Sequence, residues 1–121
     1  MPPRDPRALL ADIAEACDHI REVAKGRTRE DYTADWKLRA IAERQFITIG
    51  EALGALLKLD PAFEPRITHA RRIIDFRNIL VHGYALIDHA TVWSVIETDM
   101  PRLADEIDSL RAELGDPSEA Q

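Results

Sequence analysis

Apolar residues recur every three to four positions along most of the chain, which is the spacing of one buried face of an α-helix. The first such segment follows Asp5-Pro6, a typical cap and first helical residue, and is predicted to run from about residue 6 to residue 25. Its apolar stripe is Leu9, Ile13, Cys17, Ile20 and Ala24. Gly26 ends this helix, and the residues from Thr28 to Asp31 form a capped turn that allows a short extra helix.

A second, longer helix is predicted to begin near Trp36, capped by Thr33 or Asp35, and to end at about Leu59. Its apolar set is Ile41, Phe46, Ile49, Leu53, Leu56 and Leu57. Gly50 and Gly54 lie four residues apart on one face. We predict that these small residues permit another helix to approach closely, which outweighs their helix-propensity cost of about 1 kcal/mol each.

Two further helices follow a loop that contains Asp60-Pro61 and Glu64-Pro65. Thr68 is predicted to cap the third helix, which ends near Gly83. The apolar positions of that helix are Ile73, Phe76, Leu80 and Val81. Asp88 is predicted to cap the fourth helix, which Pro101 should kink. The apolar stripe of the fourth helix is Val92, Ile96, Met100, Leu103, Ile107 and Leu110.

Four amphipathic helices joined by short loops predict an all-α fold, most economically an up-and-down four-helix bundle. One domain is expected to span residues 1–114, because 121 residues are enough for one core and too few for two. Residues 115–121 are polar, contain helix breakers and are predicted to form a flexible tail.

Composition narrows the class of protein further. Apolar residues make up 45% and charged residues 31%, and no apolar run approaches the roughly 18 residues that cross a membrane. The N-terminus lacks the apolar core of a signal peptide, so the default expectation is a cytoplasmic protein without a membrane partner. Cys17 is the only cysteine, which excludes an intrachain disulfide, and its place in an apolar stripe predicts core packing. The net charge of −6 means that any nucleic-acid site must be local.

The segment Arg77-Asn78-Ile79-Leu80-Val81-His82-Gly83-Tyr84 places polar side chains inside an apolar run. A buried polar group without a partner costs on the order of 1 to 3 kcal/mol, so these groups are expected to satisfy one another or to face a cleft. Arg and His in one cleft indicate phosphate chemistry. Glu51 also stands out, because it interrupts the apolar stretch from Ile47 to Leu57.

Helical geometry divides the candidate residues between two faces. At about 100° per residue, Arg71, Asp75, Asn78 and His82 share one stripe, so that Asp75 or Asn78 can orient His82. Arg77 lies about 140° away from His82. The two converge if the helix unwinds at Gly83, if the Arg77 side chain wraps round the helix, or if two copies meet at a dimer axis, which we favour.

A dimer site of this kind would hold two histidines for proton transfer and two arginines for a phosphate. This arrangement suits cleavage of RNA, which supplies its own 2′-hydroxyl nucleophile, so neither a metal ion nor another cofactor is required. The four histidines lack ligand spacing, and no metal site is predicted. An internal hydrogen-bonded pair is the simpler alternative when the Arg-x4-His spacing is considered alone.

Several separated motifs resemble the HepT type of the HEPN superfamily, whose signature is Arg-x4-His-x-Tyr. Arg77, His82 and Tyr84 match this signature, and Asn78 matches the polar residue that commonly follows its arginine. The other matching segments are Glu43-Arg44, Ile49-Gly50-Glu51-Ala52, Val92-Trp93 and Asp99-Met100-Pro101-Arg102-Leu103. The resemblance spans roughly residues 6 to 112.

This resemblance implies a HEPN-like bundle that forms a homodimer and acts as the toxin of a type VII-like toxin–antitoxin system. Arg77 and His82 would be catalytic residues of a metal-independent endoribonuclease, with Asn78 and Asp75 in support. RNA is the implied substrate, and no binding to DNA is expected. The resemblance also implies a nucleotidyltransferase antitoxin that attaches AMP to Tyr84 and thereby blocks the cleft.

Two alternatives remain at the level of sequence. One is a non-catalytic helical dimer that binds a nucleotide or a partner protein through the same residues. The other is a purely structural bundle whose polar motif forms an internal network.

Overall fold

The computed structural model describes residues 5–115 and Pro117, and all regular secondary structure in this part of the chain is helical, which confirms the all-α prediction. The α-helices are α1 (Pro6–Ala24), α2 (Arg29–Ala34), α3 (Trp36–Leu59), α4 (Ala70–His82), α5 (His89–Ser94) and α6 (Met100–Leu114). Short 3-10 helices span Pro61–Arg66 and Tyr84–Leu86, and a π-helical turn, Val95–Asp99, joins α5 to α6. Most of the predicted tail, residue 116 and residues 118–121, lies outside the described residues.

Aspartates begin three of the helices, as predicted. The side chain of Asp5 accepts a hydrogen bond of 2.9 Å from the backbone N–H of Arg7. Asp35 and Asp88 cap α3 and α5 in the same way. These bonds satisfy donors that have no partner within the helix. Thr28 and Asp31 form a reciprocal capping box, so the capped turn is the short extra helix α2.

The start of α4 differs from the prediction. Its cap is His69, which adopts the left-handed conformation with φ of 57° and makes no side-chain capping bond. Thr68 donates its backbone N–H and its hydroxyl to the Glu106 carboxylate of α6, at 3.0 and 2.7 Å. Since Glu106 is 38 residues away in the chain, local capping rules miss a partner of this kind.

The core lies where α1 packs on α3 and α6, and where α3 packs on α4. The predicted apolar stripes of α1 and of the last helix are buried there. Two predicted core positions are wrong, because Ile41 and Val81 are exposed. Cys17 is fully buried as predicted, and burial raises the pKa of its thiol to about 12, which keeps it protonated at neutral pH.

A π-helical turn, Val95–Asp99, lies immediately before Met100 and Pro101 and divides the predicted fourth helix into α5 and α6. Proline has no backbone N–H to donate, so the regular α-helical bonding pattern cannot continue through it. None of the helices in residues 5–115 combines the length and the apolar character needed to cross a membrane.

Candidate functional site

The end of α4 carries the candidate residues. Arg77, Asn78 and His82 lie on its last two turns, and Gly83 ends the helix by donating its N–H to the Ile79 carbonyl at 2.8 Å. Tyr84 then begins the next 3-10 turn. One helix end and one tight turn therefore position all the polar groups of the motif.

Arg77 faces α3, and a glycine makes this possible. A Cβ added at Gly50 would lie 2.2 Å from the Arg77 Cβ and 2.6 Å from its Cγ. The predicted close approach is therefore confirmed at Gly50, where the base of the Arg77 side chain occupies the space. It is not observed at Gly54, where an added Cβ would meet nothing within 4 Å.

Two polar side chains hold the Arg77 guanidinium. Its Nη2 donates to Glu51 Oε1 at 3.0 Å, and its Nη1 donates to Asn78 Oδ1 at 2.9 Å. The Nε atom is buried and has no hydrogen-bond partner. Because the Glu51 side chain is 54% exposed, this ion pair contributes at most about 1 kcal/mol. The guanidinium is thus oriented without being locked away from a ligand.

His82 lies on the opposite, solvent-facing side of α4. Asn78, His82 and Tyr84 are all exposed, and of the expected contacts within the motif the structure shows the one between Arg77 and Asn78. Within residues 5–115, the His82 side chain makes no hydrogen bond, and neither Asp75 nor Asn78 contacts it through one. Asn78 instead contacts Arg77.

Arg77 and His82 are not joined by a hydrogen bond within one chain. They stand five residues apart on a continuous α-helix, which separates them by roughly 7.5 Å along the axis and about 140° around it. The helix ends at Gly83, but Arg77 and His82 both precede that end, so it does not bring the two side chains together within one chain.

Apolar side chains surround the exposed end of the motif. Tyr84 is 81% exposed and Leu86 is 79% exposed, and Ile79 and Val81 on α4 are also exposed. Ile79 and Val81 lie about 160° apart around α4, so the exposed apolar residues of this region are divided between two faces of the helix.

Sequence reasoning singled out Glu51 but assigned it no partner. The residue lies on α3, 26 positions before Arg77, and only the packing of α4 over Gly50 brings the two together. In the described part of the chain, no group of three or more His, Cys, Asp or Glu side chains is arranged to hold a metal ion.

Comparisons with known proteins identify the family to which the chain is similar. A sequence model of a family described as Ribonuclease HepT-like matches residues 13–110. The "Probable ribonuclease HepT" of Thermococcus cleftensis is 30% identical over 108 residues, which cover 89% of this chain and 97% of that protein. A protein of Methanocaldococcus jannaschii named as a candidate RNase is 26% identical over 110 residues, covering 89% of this chain and 98% of its own length.

A second relative from Methanocaldococcus jannaschii is named both as a gamma-glutamylcyclotransferase and as a candidate RNase. It is 28% identical over 113 residues, which are 92% of this chain and 50% of that protein, so the chain spans about half the length of this relative. No solved structure gives a significant match. Because the family model covers most of the chain and the Thermococcus relative aligns over nearly its full length, the protein belongs to the HepT-like ribonuclease family.

Proposed function

We propose that this chain is the toxin of a type VII-like toxin–antitoxin system and that it acts as a metal-independent endoribonuclease. The observation that carries the proposal is the arrangement at the end of α4. There, Glu51 and Asn78 orient the Arg77 guanidinium, and His82 is exposed near the end of the same helix. An oriented guanidinium and an accessible imidazole are the groups that metal-free RNA cleavage requires.

The active form is proposed to be a homodimer of two up-and-down bundles. In one chain, Arg77 and His82 point away from each other, and the exposed Val81 and Leu86 lie close to them in the chain. Pairing of two copies through these residues would bury the apolar groups and place four catalytic side chains around one cleft.

The proposed reaction is an intramolecular transfer at the RNA phosphate. His82 of one copy removes the proton of the 2′-hydroxyl, and the 2′-oxygen then bonds to phosphorus as the bond from phosphorus to the 5′-oxygen breaks. The protonated His82 of the second copy donates its proton to that leaving oxygen. Arg77 stabilises the additional negative charge on the phosphate, and the products are a 2′,3′-cyclic phosphate and a 5′-hydroxyl.

Replacing Arg77 tests the proposal directly. We expect Arg77→Ala, which removes both guanidinium groups from the proposed dimer cleft, to lower the rate of RNA cleavage in EDTA by at least about 10²- to 10³-fold, the usual cost of losing one donor to a developing charge. Arg71→Ala is the matched control, because Arg71 is an exposed arginine of the same helix that pairs with Glu64. Wild-type cleavage by Arg77→Ala would contradict the proposal.

The same variant distinguishes the proposed ribonuclease from the alternative function. The alternative is a non-catalytic dimer that binds a nucleotide or a partner. The contacts of Arg77 with Glu51 and Asn78 favour that reading as well, because they resemble a structural network. It predicts that wild-type protein cleaves no RNA, and that Arg77→Ala weakens the dimer or lowers the melting temperature. Sedimentation and thermal unfolding of the same samples measure both properties.

Tyr84 is the proposed site of control by a nucleotidyltransferase antitoxin. Its hydroxyl would attack the α-phosphate of ATP, lose its proton and displace pyrophosphate. The added AMP would fill the cleft and place negative charge where the RNA phosphate binds. The side chain is well placed for this reaction, because it is 81% exposed at the end of the motif.

We expect Tyr84→Phe to retain RNA cleavage within about twofold and to escape the antitoxin, since surface substitutions away from structural features change little. Growth of cells that express both proteins, with mass spectrometry of the purified toxin, measures the effect. Tyr32 is the internal control, because the chain has two tyrosines and Tyr32 is fully buried. AMP on Tyr32, or full neutralisation of Tyr84→Phe, would contradict this mode of control.

A further inference from the structure

A groove with no role in the proposed chemistry runs between α4 and the helical stretch formed by α5, the π turn and α6. It has a volume of about 280 Å³. Its walls are largely apolar and are formed by Ile73, Phe76, Ile79 and Val95. The Phe76 ring also packs edge-on against Phe46 at 5.3 Å, which fixes this wall against the core.

Four charged side chains line the same groove, two from each side. Arg72 and Asp75 come from α4, Arg102 comes from α6, and Asp99 comes from the π turn. None of the four makes a hydrogen bond or an ion pair with another residue in the range 5–115. They contribute little to holding the fold together and are available to a ligand.

A nucleotide combines the chemical features that this lining recognises. The face of a base can pack against the apolar wall, and the arginines can bind a phosphate. The carboxylates can accept hydrogen bonds from the amino group of a base or from ribose hydroxyls. A free phosphate would leave the two carboxylates repelling it, and an apolar peptide would bury four charges without partners. The groove volume lies just below the roughly 300–1,000 Å³ that ligand pockets span, which suits a ligand no larger than one nucleotide.

The groove reaches the neighbourhood of the proposed catalytic residue. Its lining residues Ile79 and Asp75 precede His82 by three and seven residues on α4, or roughly 4.5 and 10.5 Å along the helix axis. Asp75 and His82 also lie within about 20° of each other around the helix. A strand cleaved at His82 can therefore continue into the groove.

We infer that the groove is a subsite for one nucleotide of the RNA strand beside the cleaved phosphate. This inference rests on the proposed ribonuclease function. Arg72 and Arg102 bind the backbone phosphate. Asp75 and Asp99 accept hydrogen bonds from an exocyclic amino group of the base. The subsite therefore favours adenine, cytosine or guanine over uracil, which has no such group.

Binding of mononucleotides tests the subsite without any need for cleavage. Titration of the full chain with cytidine 5′-monophosphate is expected to shift the NMR signals of groove residues, with weaker shifts for uridine 5′-monophosphate. Arg102→Ala should weaken this binding by about tenfold or more, the scale of one charge-assisted hydrogen bond. Arg29→Ala is the control, because it removes one exposed arginine of α2 that does not line the groove.

Cleavage of short RNAs that differ at one base provides the second measurement. Arg102→Ala is expected to raise KM far more than it lowers kcat, and Asp99→Asn to shift preference towards uracil, because an amide can donate to the uracil carbonyl. The melting temperature should stay unchanged in both variants.

The outcomes distinguish failure of the subsite from failure of the ribonuclease function. RNA cleavage by the wild type with no shifts in the groove, and with an unchanged KM in Arg102→Ala, would overturn the subsite and leave the ribonuclease proposal standing. Nucleotide binding in the groove without any RNA cleavage would support the binding site and overturn the catalytic proposal.

Discussion

Replacing His82 by alanine is expected to lower the rate of RNA cleavage by about 10²- to 10⁴-fold, the usual contribution of a positioned acid–base group. A symmetric dimer would lose both its base and its acid in this one substitution. The fold should survive, since His82 is exposed and makes no hydrogen bond within residues 5–115. Single-turnover cleavage of a labelled RNA, with the melting temperature of each sample, measures the effect.

The control for this experiment is His19→Ala. His19 lies on α1, where its Nδ1 contacts the Gln45 amide oxygen at 3.2 Å, well away in sequence from the motif. The His19→Ala variant should cleave RNA at a rate within about twofold of wild type. Equal cleavage by wild type and His82→Ala would rule out the acid–base role.

Mixed dimers test whether the two copies of His82 act together at one cleft. If one His82 acts as the base and the other as the acid, a dimer with one wild-type and one His82→Ala copy should cleave almost as poorly as the double variant. Half-maximal activity in the mixed dimer would indicate that each copy works alone.

The largest effect on stability is expected at Gly50. An alanine Cβ at this position would meet the Arg77 Cβ at 2.2 Å, and neither helix can relieve that contact by turning a flexible side-chain end. Overpacking of this kind costs about 1 to 3 kcal/mol in the free energy of unfolding. The displaced α4 would also move Arg77, so RNA cleavage should fall with stability.

Gly54→Ala is the matched control on the same helix, four residues later. An added Cβ there meets nothing within 4 Å, so alanine should raise the free energy of unfolding by about 0.5 to 1 kcal/mol through its helix propensity. Urea unfolding of both variants measures the difference. A Gly50→Ala protein as stable as Gly54→Ala would show that Arg77 does not pack over α3 as described.

Local sequence rules predicted the elements well where the partner of each group is close in the chain. Asp5, Asp35 and Asp88 cap their helices through N–H groups two or three residues ahead, which is why the starts of α1, α3 and α5 were predictable. The apolar stripe of α1 is buried because its period matches the helix.

The predictions that were wrong depended on partners distant in the chain. Local rules favoured Thr68 as the cap of α4. In the structure its backbone N–H and its hydroxyl both donate to Glu106 on another helix, and His69 occupies the capping position. Val81 fits the helical period of the core face, yet no described element covers it. A periodic pattern identifies apolar positions, but it does not state which neighbouring surface is present to bury them.

The sequence alone determined that the fold is helical and indicated which side chains are candidates for the chemistry, because helix period, caps and the Arg77-to-Tyr84 motif are local features. Only the tertiary structure decided how those groups are held. It placed α4 against Gly50, paired Arg77 with Glu51, left His82 on the exposed face and opened the groove beside Arg102. The physical reason is that these features depend on which helix surfaces meet, and contacts between residues distant in the chain are set by packing rather than by local spacing.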